Sequence, residues 1–134
     1  MAVFPTGEWV SALKEKLNND EHYGKIASKW EGDMRFIIEP DAGFPNGLSI
    51  YLDLWHGKCR DGFIENQSDH RQPAFTLKAP YGNFARVIRG DLDPMQALMT
   101  RKLGVQGNMA VLMRNVPVVL DFVRCCREIT TGTL

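Results

Sequence analysis

Residues 89–116, RGDLDPMQALMTRKLGVQGNMAVLMRNV, carry more apolar surface than one face of a sheet needs. Asp93 before Pro94 starts a helix there. The aspartate accepts backbone N–H groups at the N-cap, and proline at the first position gives up a donor that has no partner in any case. Met95, Ala97, Leu98 and Met99 stand both side by side and three to four apart, so this helix, read over Met95 to Lys102, has a wide apolar arc. Gly104 and Gly107 mark a brief strand around Leu103, Val105 and Gln106, and Asn108 caps the next helix.

At about 100 degrees per residue from Met109, the final helix puts Leu112, Met113, Val116, Leu120 and Val123 within roughly 60 degrees of one direction. Val111, Val118, Phe122 and Ile129 lie opposite, and the polar set Arg114, Asp121, Arg124 and Glu128 fills an arc of only about 80 degrees. Pro117 interrupts the backbone ladder, so the segment reads as one helix or as two. Two apolar faces imply burial between layers or contact with an apolar ligand.

Upstream, Thr6 caps a helix whose Trp9, Val10, Leu13 and Leu17 share one face, and a short second helix holds Tyr23, Ile26, Ala27 and Trp30. The period then changes to two. Met34, Phe36 and Ile38 alternate with polar neighbours. After a turn at Pro45, Asn46 and Gly47 the same pattern runs through Leu48, Ile50, Leu52 and Leu54, which predicts an antiparallel hairpin with one buried face. Further strands are expected over Lys58 to Ile64 and Ala74 to Ala79, with His70 to Pro73 as loop, and Pro80 opens a helix through Phe84, Val87 and Ile88 that ends at Gly90. Strands in a block with helices around them give an α+β class with one sheet face covered.

A chain of 134 residues is expected to form a single domain, 1–134, with a real core. Sixteen basic residues match sixteen acidic ones, so no broad field favours nucleic acid or an anionic membrane. MAVFPTGEWV has neither the charged start nor the apolar run of an export signal, and no stretch of eighteen apolar residues occurs. Three cysteines, two of them adjacent at 125 and 126, do not make a disulfide framework; a reducing cytoplasm fits.

Catalytic chemistry is sparse. His56 and Cys59 have the spacing of half a metal site without a second half, and no metal or cofactor is expected. His70 beside Asp69 reads as a solvated loop histidine, Asp91 and Asp93 as turn and cap residues, and Cys125 and Cys126 as structural thiols. Nucleophile-elbow, phosphate-loop and dinucleotide fingerprints do not occur, so no catalytic residue is assigned.

The succession Phe84, Ile88, Gly90, Asp93-Pro94, Ala97-Leu98, Lys102-Leu103, Val105 and Gly107-Asn108 resembles the C-terminal half of the sterol-carrier-protein type-two domain. The order of Tyr23, Trp30, the Met34 to Ile38 strand, the Leu48 to Leu54 strand and Gly57 extends the resemblance over nearly the whole chain. It implies a five-stranded, mostly antiparallel sheet covered on one face by about five helices, enclosing an apolar tunnel. Fatty acids, acyl-CoA, phospholipids, sterols or isoprenoids would be bound there, without catalysis, metal or cofactor, for intracellular transfer.

The expected tunnel lining is Phe84, Ile88, Met95, Leu98, Met99, Leu103, Val105, Met109, Leu112, Met113, Val116 and Leu120, with Arg89, Arg101 and Lys102 as candidate head-group contacts. The four methionines would add flexible, polarizable contacts, and Trp at position 99 or 113 is expected to abolish fatty-acid binding. Transient membrane contact and a dimer are both left open. The alternative is an interaction or scaffold module accessory to a lipid- or quinone-metabolising complex. The ending Gly132-Thr133-Leu134 is not the peroxisomal tripeptide of some relatives, so peroxisomal delivery is not expected.

Overall fold

A computed structural model describes residues 2–66 and 71–134. The elements run β1 (Ala2–Phe4), α1 (Gly7–Asn19), α2 (Glu21–Ile26), β2 (Met34–Glu39), β3 (Leu48–Trp55), β4 (Lys58–Ile64), β5 (Phe75–Pro80), α3 (Tyr81–Arg89), α4 (Pro94–Met99), β6 (Gly104–Gln106), α5 (Met109–Arg114), α6 (Val116–Ile129) and β7 (Thr130–Thr133). The predicted caps form. Thr6 accepts from the Trp9 N–H, Asp93 from Gln96 and Asn108 from Val111, while Gly90 closes α3 at φ 89°, a left-handed position that glycine adopts without strain.

Five strands form one sheet in the order β4-β3-β2-β5-β6. The β2–β3 hairpin is antiparallel with Met34 opposite Leu52 and Phe36 opposite Ile50. β2 and β5 are parallel, pairing Phe36 with Leu77, and the remaining pairs are antiparallel. The period-two pattern thus aims Met34, Phe36, Ile38, Ile50, Leu52, Leu54 and Leu77 at a common interior. The opposite face is polar: Arg35 forks onto Glu65 at 2.7 and 2.8 Å, and Arg60 onto Asp53 at 3.0 Å on each arm. That difference decides which face the helices cover.

Two expectations are corrected. α2 stops at Ile26, and Trp30 is a buried loop residue whose indole N–H donates to the Gly32 carbonyl. α4 is shorter than Met95 to Lys102: it ends at Met99, and Arg101 sits at φ 62°, a conformation that no helix continues through. The last helical run divides at Asn115, the two-helix reading that Pro117 allowed, and the described residues hold six helices, in keeping with the expected fold. A short parallel pair of β1 and β7 was not foreseen. Strands of three and four residues give no usable periodicity, and the pairing joins opposite ends of the chain.

The α1, α2 and α6 helices are locked by charge. Arg124 on α6 donates to Asp20 at 2.6 Å, to Asp121 at 2.7 Å and to Glu128 at 3.0 Å, and Lys16 on α1 reaches Asp20 and Glu128 at 3.0 and 2.8 Å. Asp121 is only 6 % exposed and also meets the His22 Nδ1 at 2.9 Å, so the carboxylate has several polar partners.

Candidate functional site

Between the covered sheet face and the helices lies an apolar cavity of about 100 Å³. Its floor is the interior row of β2, β3 and β5, and its sides come from α1, α2 and the Trp30 loop through Trp9, Leu13, Tyr23 and Trp30. α3 contributes Phe84, Val87 and Ile88; α4 contributes Pro94 and Leu98; Leu112 comes from α5. α6 closes the roof with Val118, Val119, Phe122, Val123 and Cys126. No charged side chain is among the lining residues. A second, more polar cleft of about 300 Å³ adjoins it, lined by Gly90, Leu92, Asp93, Pro94, Leu120, Val123 and Arg127. Pro94 and Val123 belong to both walls.

Of the twelve expected lining residues, Phe84, Ile88, Leu98, Leu103 and Leu112 stand on the cavity wall. Leu120 stands on the adjoining cleft instead. Met95 and Val105 are half-buried against the core without reaching the cavity, and Val116 is half-buried. Met99, Met109 and Met113 face outward, at 72, 40 and 43 % exposure. The cause is the break at Asn115. Its side-chain amide donates to the Val111 carbonyl at 2.7 Å, and Pro117 follows with no N–H to give, so α5 and α6 do not share one angular phase. Along α6, Val118, Val119, Phe122, Val123 and Cys126 line the cavity, and Cys125 and Ile129 are buried in the core. Of the other apolar set, Met113 and Leu120 remain outside, Val116 is half-buried, and Leu112 and Val123 reach the cavity.

Arg89, Arg101 and Lys102 are exposed and do not line the cavity. Arg89 contacts Asp91 at 3.4 Å and Thr133 at 3.3 Å. The residues not anticipated as lining are those of the N-terminal third and the sheet floor, together with Val87, Pro94 and the α6 residues Val118, Val119, Phe122, Val123 and Cys126. Their burial was legible from periodicity, but a wall and a solid core leave the same pattern in a sequence.

The other chemistry-bearing residues are accounted for. His56 Nε2 meets Glu31 at 2.6 Å, whereas Cys59 is buried with its thiol donating to the Asp61 carbonyl at 3.2 Å, so the pair does not converge. Asp69 and His70 lie outside the described residues. Asp20, Asp121 and Cys125 approach one another closely enough to suggest a cation site, but Arg124 and Lys16 already neutralise those carboxylates. Burial pushes the Cys125 thiol up to about 11, which makes it a poor metal ligand.

Comparison with known proteins places this architecture. Residues 10–119 match the family model of the SCP-2 sterol transfer family. A crystal structure of a sterol carrier protein 2 is 35% identical with a TM-score of 0.84, over 93% of this chain and 98% of that one. A conserved hypothetical protein from Thermus thermophilus, described as possibly a sterol carrier protein, is 33% identical with the same TM-score of 0.84, over 98% and 92%. Sterol carrier protein 2 from Aedes aegypti, solved in complex with the C16 fatty acid palmitate, shares the fold at 15% identity and a TM-score of 0.57, over 88% and 93%. No curated protein matches the chain.

Proposed function

The chain belongs to the SCP-2 sterol transfer family, and from that premise we propose that it binds the hydrocarbon part of a lipid in the apolar cavity and carries it, without chemistry on it, through the cytoplasm. The ligand class that fits is a single-chain lipid such as a fatty acid or acyl-CoA. The observation that supports this reading is the lining itself: side chains from four strands and all six helices converge on one gap with no charged group among them. A packing gap of about 100 Å³ forgoes roughly 2 kcal/mol in an ordinary core. Its retention suits a site that a ligand completes.

Magnitudes agree with a carrier. Burying a sixteen-carbon chain gives about 12 kcal/mol gross, against association costs of about 4 to 15 kcal/mol, so binding is weak to micromolar and reversible. A cavity of about 150 Å³ holds benzene, so a long chain must displace part of the wall of this one. Pro94 and Val123, which the cavity shares with the larger cleft, are where that displacement would join the two spaces.

The test is native mass spectrometry and lipid extraction of the purified protein, followed by titration with a fluorescent fatty acid. One bound lipid per chain, displaced by palmitate, is expected. Protein that purifies without lipid and leaves the fluorophore's emission unchanged would remove the proposal.

A further inference from the structure

Three successive helices of the cavity roof have apolar side chains on both sides. Leu98 of α4, Leu112 of α5 and Val118 of α6 line the cavity, while Met99, Met109, Met113 and Leu120 of the same helices are 72, 40, 43 and 43 % exposed. Among the described residues, half of the strongly exposed large apolar side chains fall in this one segment. Such surface is retained when something apolar meets it.

The charge of the segment is equally uneven. From Pro94 to Leu120 there is no aspartate or glutamate, although the whole chain carries sixteen, and Arg101, Lys102 and Arg114 are all exposed. None of the three takes part in an ion pair among the described residues, whereas Arg35, Arg60, Arg89 and Arg124 do. In a neutral protein, this segment therefore presents three exposed cations and no acidic residue around its exposed methionines. The complement of that combination is an anionic surface with an apolar interior.

We propose that α4, β6, α5 and the first turns of α6 form a docking face for an anionic lipid bilayer. Met99, Met109, Met113 and Leu120 enter the acyl boundary while Arg101, Lys102 and Arg114 meet the phosphates. The bilayer is favoured over an acidic protein because unbranched methionines suit a fluid, shapeless partner, and the covering helices are short: α4 and α5 have six residues each. Docking there brings the roof of the cavity against the bilayer. This goes beyond the carrier reading and rests on the outer surface alone.

The experiment is co-sedimentation of the full chain with vesicles of phosphatidylcholine, with and without phosphatidylglycerol. Adsorption is expected only with the anionic lipid and is expected to weaken as salt is raised. Each lysine or arginine near such a surface changes partition about fivefold, so R101Q/K102Q/R114Q together should lose about a hundredfold. M109Q/M113Q should also lose adsorption, while the control I64Q, at an exposed position on β4, should not. Circular dichroism confirms that the variants fold.

Equal adsorption to neutral and anionic vesicles, or adsorption unchanged in the triple variant, overturns the proposal. So does a concentration-dependent dimer that M109Q/M113Q abolishes in a protein that never adsorbs, because a second copy would then be the occupant. Fatty-acid binding measured without vesicles separates the two readings: adsorption without such binding keeps the docking face and removes the carrier function.

Discussion

The rings of Phe36 on β2 and Phe122 on α6 lie parallel, 5.9 Å between centroids and 1° between planes. Both line the cavity, one in its floor and one in its roof, so this contact sets the gap between sheet and helix. A stacked aromatic pair contributes about 0.5 to 1.5 kcal/mol beyond its buried area. F122A removes that prop together with a large side chain. A stability loss of about 3 kcal/mol is expected in urea unfolding, with fatty-acid binding retained in the enlarged cavity. A loss under about 1 kcal/mol would mean that α6 is held in place without the pair.

Filling the same gap should do the reverse. Val119 lines the roof and is only half-buried, so V119W fits with a modest overpacking cost of about 1 to 3 kcal/mol. Its indole occupies volume that a lipid chain needs, and affinity for a fluorescent fatty acid should fall at least about tenfold. M99W adds a ring to an exposed site and should leave that affinity unchanged. Equal losses in both variants would move the binding site to the outer surface.

The contrast between Val119 and Met99 shows how far the sequence could be read. The sheet was legible because Met34, Phe36 and Ile38 and then Ile50, Leu52 and Leu54 keep a strict period of two, and strand pairing leaves such a row only one buried side. The helix starts at Thr6, Asp93 and Asn108 were legible because capping is local chemistry. The cavity wall was not. Whether Leu112 or Met113 points inward depends on a phase change at Asn115, which is fixed by how α5 packs on α6 and not by spacing. The floor was read as core because a residue beside a gap and a residue beside another side chain follow the same pattern. The excess of apolar surface was visible, but its division between an inner cavity and an outer face belongs to tertiary structure.

The Arg124 network carries a pH signature. Hydrogen bonding from Arg124, then from the Tyr23 N–H, holds the Asp20 carboxyl well below the usual carboxylate range, and Lys16, then Arg124, lowers Glu128. Groups depressed on folding stabilise fully above their unfolded values, near about 4, and lose that contribution as pH falls toward the folded ones. Lys16 is shifted upward, chiefly by Glu128 and Asp20, so its contribution is full below about 10.4 and is lost as pH rises beyond it. The urea midpoint should hold level between about pH 5 and 9 and fall on the acid side. D20N keeps an acceptor for the Tyr23 N–H while removing the charge, and should flatten the acid limb; an acid limb as steep as in the parent would assign it to other carboxylates.

The three cysteines report on how the cavity opens. All are free and buried, and desolvation pushes Cys59 up to about 12, Cys125 up to about 11 and Cys126 upward as well. Little thiolate exists at neutral pH, so alkylation by N-ethylmaleimide should be slow in the native protein and fast in urea. Cys126 lines the cavity, whereas Cys59 lies on β4 and is not part of the lining. If labelling of Cys126 proceeds through local displacement of the α6 roof, a bound fatty acid should slow it by a factor of about 1 + [L]/Kd and leave Cys59 unaffected. Slowing of both cysteines by the same factor, read by peptide mass mapping, would instead mean that access requires global unfolding and that the roof has no independent motion.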